Sequence, residues 1–141
     1  DCCGAMFGVD LSTRMVEAAR RTGLYAQADA GDVTEWLKGK SSSSADLVIA
    51  ADVFVYLGDL APVFAESARA LRAGGLFAFS VQKHESGEFI VGEDMRYAHS
   101  RAYLERLAQQ NGLDVITIED ASTRKDRGVA TAGMIAVLRK P

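Results

Sequence analysis

Apolar residues in this chain fall alternately into short continuous runs, which suit strands, and into spacings of three and four, which suit one face of a helix. Met6 to Asp10 reads as a strand. Ser12 to Thr22 follows as a helix, with Ser12 as its N-cap, Met15, Val16 and Ala19 along one face and Gly23 as terminator. Leu24 to Ala28 is a weaker second strand, and Asp32 to Lys38 a short helix with Trp36 and Leu37 facing inward. The tract Ser41-Ser42-Ser43-Ser44 is too short to link domains and reads as a surface loop. After it, Asp46-Leu47-Val48-Ile49-Ala50-Ala51-Asp52 is apolar without alternation. That is the pattern of a parallel strand covered on both faces, expected at the centre of a sheet.

Asp59 is placed to cap a helix through Leu60, Phe64, Ala68 and Leu71, and Pro62 is tolerated because the first turn has no internal donor to lose. Gly74-Gly75 is expected to end that helix, and Leu76 to Val81 to form the next buried strand. A further helix starts near Ser100, sets Tyr103, Leu104 and Leu107 at core spacing and stops at Asn111-Gly112. Leu113 to Ile118 and Met134 to Leu138 are the last strands. The join from Ala121 to Gly128 is polar and lacks an apolar face, whereas a parallel crossover needs about a dozen residues and usually a helix. The last strand is therefore expected to run antiparallel to the one before it. The fold class that follows is α/β: a single domain over residues 1–141, with a doubly wound, mostly parallel sheet that closes on an antiparallel strand.

At 141 residues and 48% hydrophobic, the chain can bury a core of its own. A net charge of −3 argues against nucleic acid as a partner, since phosphate binding favours a basic surface. No run approaches the roughly 18 apolar residues of a membrane span, and no basic-then-apolar leader is read, so no membrane partner and a cytoplasmic location are expected. Cys2 and Cys3 are adjacent, with no second pair and no histidine nearby. They suggest neither a disulfide framework nor a metal site, and read as reduced cysteines in a loop or at the start of a strand.

The candidate chemistry begins at Gly8-Val9-Asp10-Leu11-Ser12, where a strand ends in a carboxylate and a helix starts at once. An acid there is placed to accept hydrogen bonds from the two hydroxyls of an adenosine ribose. A second acid, Asp32, lies one strand-and-helix unit downstream. The glycine-rich turn that ordinarily precedes such an acid is not found, and Asp1 to Ala5 cannot hold a strand, a turn and a helix. The fold is accordingly expected to be N-terminally truncated, as a fragment or with the missing unit supplied by a partner. Each acid also has a plainer reading as a helix cap, for Asp32 in concert with Glu35. Arg20 and Arg21 suit the C-terminus of their helix.

In order and spacing, Gly8-Val9-Asp10-Leu11-Ser12, Gly31-Asp32-Val33, Ala50-Ala51-Asp52-Val53-Phe54-Val55-Tyr56, Leu71-Arg72-Ala73-Gly74-Gly75-Leu76 and Arg96-Tyr97-Ala98-His99-Ser100 resemble the class I S-adenosylmethionine-dependent methyltransferases. The likeness is to the methyltransferase-11/12 type, including those carried behind tetratricopeptide repeats. The resemblance implies a Rossmann-like methyltransferase fold and S-adenosyl-L-methionine as cofactor. It implies that Asp10 binds the ribose hydroxyls, that Leu11 packs on the adenine, that Asp32 accepts from the adenine amino group and that Val33 covers the other face of the ring. Ala50 and Ala51 would border the methionine part. The absent glycine-rich turn is the departure from the family pattern.

Methyl transfer asks mainly for positioning and desolvation, and a general base matters only where the acceptor must lose a proton. The candidates are His84, His99, Tyr56 and Tyr97. His99, at the start of a helix, reads either as a residue bonded to backbone or as part of a substrate pocket, and Gln82 to Ala98 either as a substrate wall or as a surface excursion with one β-hairpin. Three functions stay open. One is a methyltransferase acting on a small-molecule or protein acceptor. The second is a non-catalytic module that acts through its surface or by self-association at an exposed sheet edge, and the third an NAD-dependent oxidoreductase, which requires a parallel last strand.

Overall fold

The computed structural model describes residues 4–141, Thr123 by its backbone alone, so the Cys2 and Cys3 reading lies outside the described residues. The chain forms two compact units, residues 1–40 and residues 41–141. Each has its own sheet.

In the first unit β1 (Phe7–Asp10) and β2 (Gln27–Ala30) pair in parallel, and each runs into a helix, α1 (Thr13–Arg21) and α2 (Val33–Lys38). Ser12 caps α1 as expected, its Oγ accepting from Met15 N at 3.3 Å. Gly23 ends the helix in the left-handed region at φ 68°, a conformation that suits glycine. Val16 and Ala28 are buried between strand and helix, while Met15, expected on the same face as Val16, is exposed. β2 begins at Gln27 rather than Leu24, because Gly23 to Ala26 are used in the return from α1 and the ladder opens with Ala26 N donating to Met6 O at 2.8 Å. Arg20 does more than offset a helix end. Its Nε and Nη2 donate to Ala28 O at 2.9 and 2.6 Å, tying α1 to β2. Trp36 is half-buried, and its indole N–H donates to Asp29 at 2.8 Å.

The second unit runs β3 (Ala45–Ala50), a single 3-10 turn (Phe54–Tyr56), α3 (Ala61–Ala70), β4 (Leu71–Lys83), β5 (Phe89–Val91), β6 (Tyr97–His99), α4 (Arg101–Gln110), β7 (Asp114–Asp126) and β8 (Val129–Arg139). β4 is its hub. β8 pairs antiparallel along one edge from Leu76 to Gln82, and on the other edge β3 pairs in parallel as far as Phe79, where β6 takes over at Gln82 and Lys83. Phe77 and Phe79 point to one face and meet Phe54 and Phe64, with Phe77 and Phe79 4.7 Å apart and Phe64 5.2 Å from Phe77 between ring centroids. Met134, Ala136 and Leu138 of β8 and Leu104 and Leu107 of α4 complete this core. Since the last strand is antiparallel to both β4 and β7, the expected closing of the sheet is met.

Three expectations need correction. α3 ends at Ala70, before Gly74-Gly75, and the glycines instead form an irregularity inside β4. Gly74 takes φ 79°, and a Cβ on Gly75 would lie 2.9 Å from Arg72 O of its own strand and 3.2 Å from Ala45 O of β3, so the irregularity suits glycine at both positions. The polar join after Ala121 is itself mostly strand. β7 continues to Asp126 and returns through Arg127 and Gly128 at φ 48° and 81°, a two-residue type I′ hairpin whose polar side chains stand beyond the core. Finally, among the described residues β3 bonds to β4 alone, and Ile49, 66% exposed, lies on the sheet face opposite Phe77 and Phe79. Its unbroken apolar pattern therefore belongs to a strand with one free edge and one open face, not to a central one. Among the described residues no helix is long and apolar enough to cross a membrane.

Replacing Phe77 by Ala is expected to lower the unfolding free energy by about 3–5 kcal/mol in chemical denaturation, because it empties a fully enclosed aromatic site. Ile49→Ala on the open face should change it by less than about 1 kcal/mol.

Candidate functional site

Parallel pairing sets the carboxyl ends of β1 and β2 side by side, and both acids stand there. Asp10 is the last residue of β1, opposite Ala30, and Gly31 N donates to Asp10 O at 3.0 Å, with Asp32 next in the chain. Two residues earlier Gly8 packs closely on Tyr25, where a Cβ would come within 2.9 Å of the ring. The capping readings hold for both acids. Asp10 Oδ1 accepts from Ser12 N at 2.7 Å, and Asp32 Oδ1 accepts from Thr34 N and Glu35 N, each at 2.9 Å. Capping occupies one oxygen of each carboxylate. The capping bonds of both carboxylates fall on Oδ1. Leu11, directly after Asp10, is 75% exposed, and Val33 is half-buried in the first turn of α2. Two acceptor-only groups beside an exposed leucine suit a flat apolar ring system that carries hydroxyl and amine donors, so these residues fit an adenosine.

In the second unit the chain turns sharply at the carboxyl end of β3. Ala50 is buried and Ala51 exposed, and Asp52 takes φ 55° with its N–H bonded to Ser80 Oγ of β4 at 3.0 Å. The Phe54–Tyr56 turn then sends Phe54 and Val55 into the core and leaves Tyr56 59% exposed, with the Arg96 guanidinium 5.7 Å from its ring centre. The segment after β4 forms one β-hairpin, β5 with β6, whose second strand also pairs with the end of β4. Tyr97 and Phe89 pack edge to face at 6.1 Å, and both lie against Gly58, where a Cβ would meet them at 2.8 and 2.9 Å.

Of the four candidate bases, Tyr56, Tyr97 and His99 gather around this segment. His99 is wholly buried and its Nε2 lies 2.9 Å from Gly58 O, so it is bonded to backbone and has no exposed atom to offer an acceptor. Burial holds its imidazole below the usual range, against the carbonyls of Gly58 and Leu57, which favour the charged form. His84, whose backbone N–H donates to His99 O at 2.9 Å, lines a surface cavity of about 320 Å³ with Lys83, Ser100 and Arg101. Among the described residues no group of three or more His, Cys, Asp or Glu is placed to hold a metal ion.

Tyr103 has a role that its spacing did not reveal. Its hydroxyl donates to Asp59 Oδ1 at 2.9 Å and accepts from Leu60 N at 2.8 Å. Helical spacing identifies an inward side chain, but not what its polar tip meets; the one available signal was its position four residues after His99, across the Ser100 cap. Burial first, then the Asp59 carboxylate, pushes the phenol up to about 12. Because this folded value lies above the ordinary one near 10, the stability it confers is complete below pH ~10 and is lost as pH rises towards ~12. Absorbance titration should show one phenol ionising late, and Tyr103→Phe should remove both that phase and the alkaline loss of stability.

A model of the methyltransferase domain family matches residues 1–79, more than half of the chain. No curated protein matches it. Among solved structures the fold is similar to a SAM-dependent methyltransferase from Methanosarcina mazei (TM-score 0.74, 12% identity, 96% of this chain and 82% of that one). It is also similar to a chain from the Haloferax volcanii complex of the Trm112 methyltransferase activator with a candidate methyltransferase (TM-score 0.74, 21% identity, 98% and 73%). A third likeness is to the [4+2]-cyclase SpnF (TM-score 0.74, 17% identity), of which the chain spans 66%. At such identities these likenesses establish the fold and not a shared reaction. The fold and the family match agree: this chain belongs to the methyltransferase domain family.

Proposed function

We propose that the first unit binds the adenosine end of S-adenosylmethionine and that the chain serves methyl transfer to a small-molecule or protein acceptor. The observation that carries this reading is the pair of carboxylates at neighbouring strand ends, each capping a helix with one oxygen and keeping the other for a ligand. Asp10 would accept from the ribose hydroxyls and Asp32 from the adenine amino group, with Leu11 and Val33 against the ring. The bound cofactor supplies a methyl group already activated on a sulfonium. On the acceptor side, Tyr56 and Tyr97 are the remaining candidates to hold or take a proton, because His99 is enclosed.

The antiparallel β8 supports this reading over a nicotinamide-dependent one, whose sheet would close on a parallel strand. A non-catalytic module is the other outcome, and the cyclase among the structural relatives illustrates that the fold hosts other chemistry.

Calorimetric titration with S-adenosylhomocysteine tests the reading. The chain should bind it and not NAD. Asp10→Ala should weaken binding by roughly tenfold to a hundredfold, the loss of about 1.5–3 kcal/mol in charge-assisted hydrogen bonds, and Asp32→Ala by a smaller factor. Absence of binding by a folded chain would leave a severed methyltransferase or a non-catalytic module, which a longer chain carrying the upstream unit would separate.

A further inference from the structure

His99 and Tyr103 stand on either side of the Ser100 cap, His99 as the last residue of β6 and Tyr103 in the first turn of α4. Both are buried, and their rings stack at 6.1 Å with 12° between planes. Between them they hold three consecutive residues. Gly58 O faces His99 Nε2 at 2.9 Å, the Asp59 carboxylate accepts from the Tyr103 hydroxyl at 2.9 Å, and Leu60 N donates to the same hydroxyl at 2.8 Å. Asp59 Oδ1 also accepts from Ala61 N at 2.9 Å, which carries the tie into the start of α3. This segment is the far anchor of the loop that leaves the carboxyl end of β3 and presents Tyr56.

Packing does not account for the imidazole. A neutral ring that donates from Nε2 to Gly58 keeps Nδ1 as an acceptor, and Nδ1 is buried without a partner. A phenylalanine would stack on Tyr103 and Phe89 without stranding that atom. What only the imidazole supplies is the hydrogen bond to Gly58.

We propose that His99 and Tyr103 are positioning residues that latch Gly58 to Leu60 and so fix Tyr56 as the acceptor-side wall. The last clause rests on the methyltransferase reading; the latch itself does not. It closes with a neutral His99. A second proton would place a charge and a donor on enclosed Nδ1, so the latch should loosen as pH falls. The charged and titratable groups on the surrounding elements are Asp52, Tyr56 and Asp59 of the loop, Glu88 beside β5, Arg96 and Tyr97 at the start of β6, Arg101, Tyr103, Glu105 and Arg106 of α4, and Lys83 and His84 at the end of β4. Asp59 is bound to Tyr103, Glu88 is paired with Arg106, and Lys83 with Asp120 and Glu85. Burial depresses the His99 imidazole, so the folded chain resists a proton that the opened one takes up. The latch is thus at full strength above the ordinary imidazole value near 6.5 and weakens as pH falls below it.

The test is amide hydrogen exchange of residues 57–60 in the whole chain, corrected for intrinsic rates, across about pH 5 to 8. In the wild type, protection should fall on acidification. His99→Gln, which keeps a donor and does not titrate, should retain most of the protection and lose its pH dependence. His84 is still present in that variant, so a flat profile there excludes it as the cause. His99→Phe and Tyr103→Phe should exchange at least about tenfold faster at neutral pH. Protection of His99→Phe equal to wild type, or an acid profile unchanged in His99→Gln, would overturn the latch. S-adenosylhomocysteine titration of the same variants separates the two readings: no binding by the wild type, with the exchange pattern intact, would sink the acceptor-side assignment and leave the latch standing.

Discussion

A strand that runs straight into a helix leaves the first N–H groups of that helix to be satisfied at the junction, and in this protein the residues of the proposed adenosine site stand at such junctions. Asp10 and Ser12 meet the start of α1, Asp32 the start of α2, and Ser100 the start of α4. A carboxylate suits this task because it answers the helix with one oxygen and has a second left over. Parallel pairing of β1 with β2 then sets two such acids at the same edge. Structural need and ligand binding are therefore not rival explanations for Asp10 and Asp32. The cap fixes the orientation of each side chain in advance, so a ligand meets a group that has little freedom to lose.

The second unit depends on the same constraint through a different residue. His99 closes β6, Ser100 caps α4, and Tyr103 N is bonded to the cap. That short run places an imidazole and a phenol one above the other, where both reach the loop after β3. β4 makes the arrangement rigid from the other side. It holds β3 and β6 in succession along one edge and carries the phenylalanine cluster on one face, so the turn at Asp52 is pinned to Ser80 while Phe54 is packed on Phe77 and Phe79.

Much of this was legible in the sequence, and the exceptions have physical causes. Caps and terminators located α1, α2 and α4, because Ser12, Asp32, Ser100, Gly23 and Gly112 act within a few residues of themselves. Gly74-Gly75 misled for the converse reason. Gly74 serves a left-handed φ inside β4, and Gly75 a crowding by Arg72 O and by Ala45 O of β3, so a strand irregularity here resembles a helix stop. The arm of β7 and β8 was hidden by its polarity, since strands beyond the core show no alternation; only Arg127-Gly128 marked the hairpin. The acids of the candidate site were visible as strand-end residues. The Tyr103 hydroxyl was not, because its partners Asp59 and Leu60 depend on tertiary contact.

The central claim is that the two capped acids form the half-site for adenosine. The most direct measurement is an amide chemical-shift map of the chain titrated with S-adenosylhomocysteine. The largest shifts should fall on Leu11, Ser12, Gly31 and Val33, around the second oxygens of Asp10 and Asp32. Saturation with no shift among residues 7–33, or with shifts confined to residues 41–141, would contradict it.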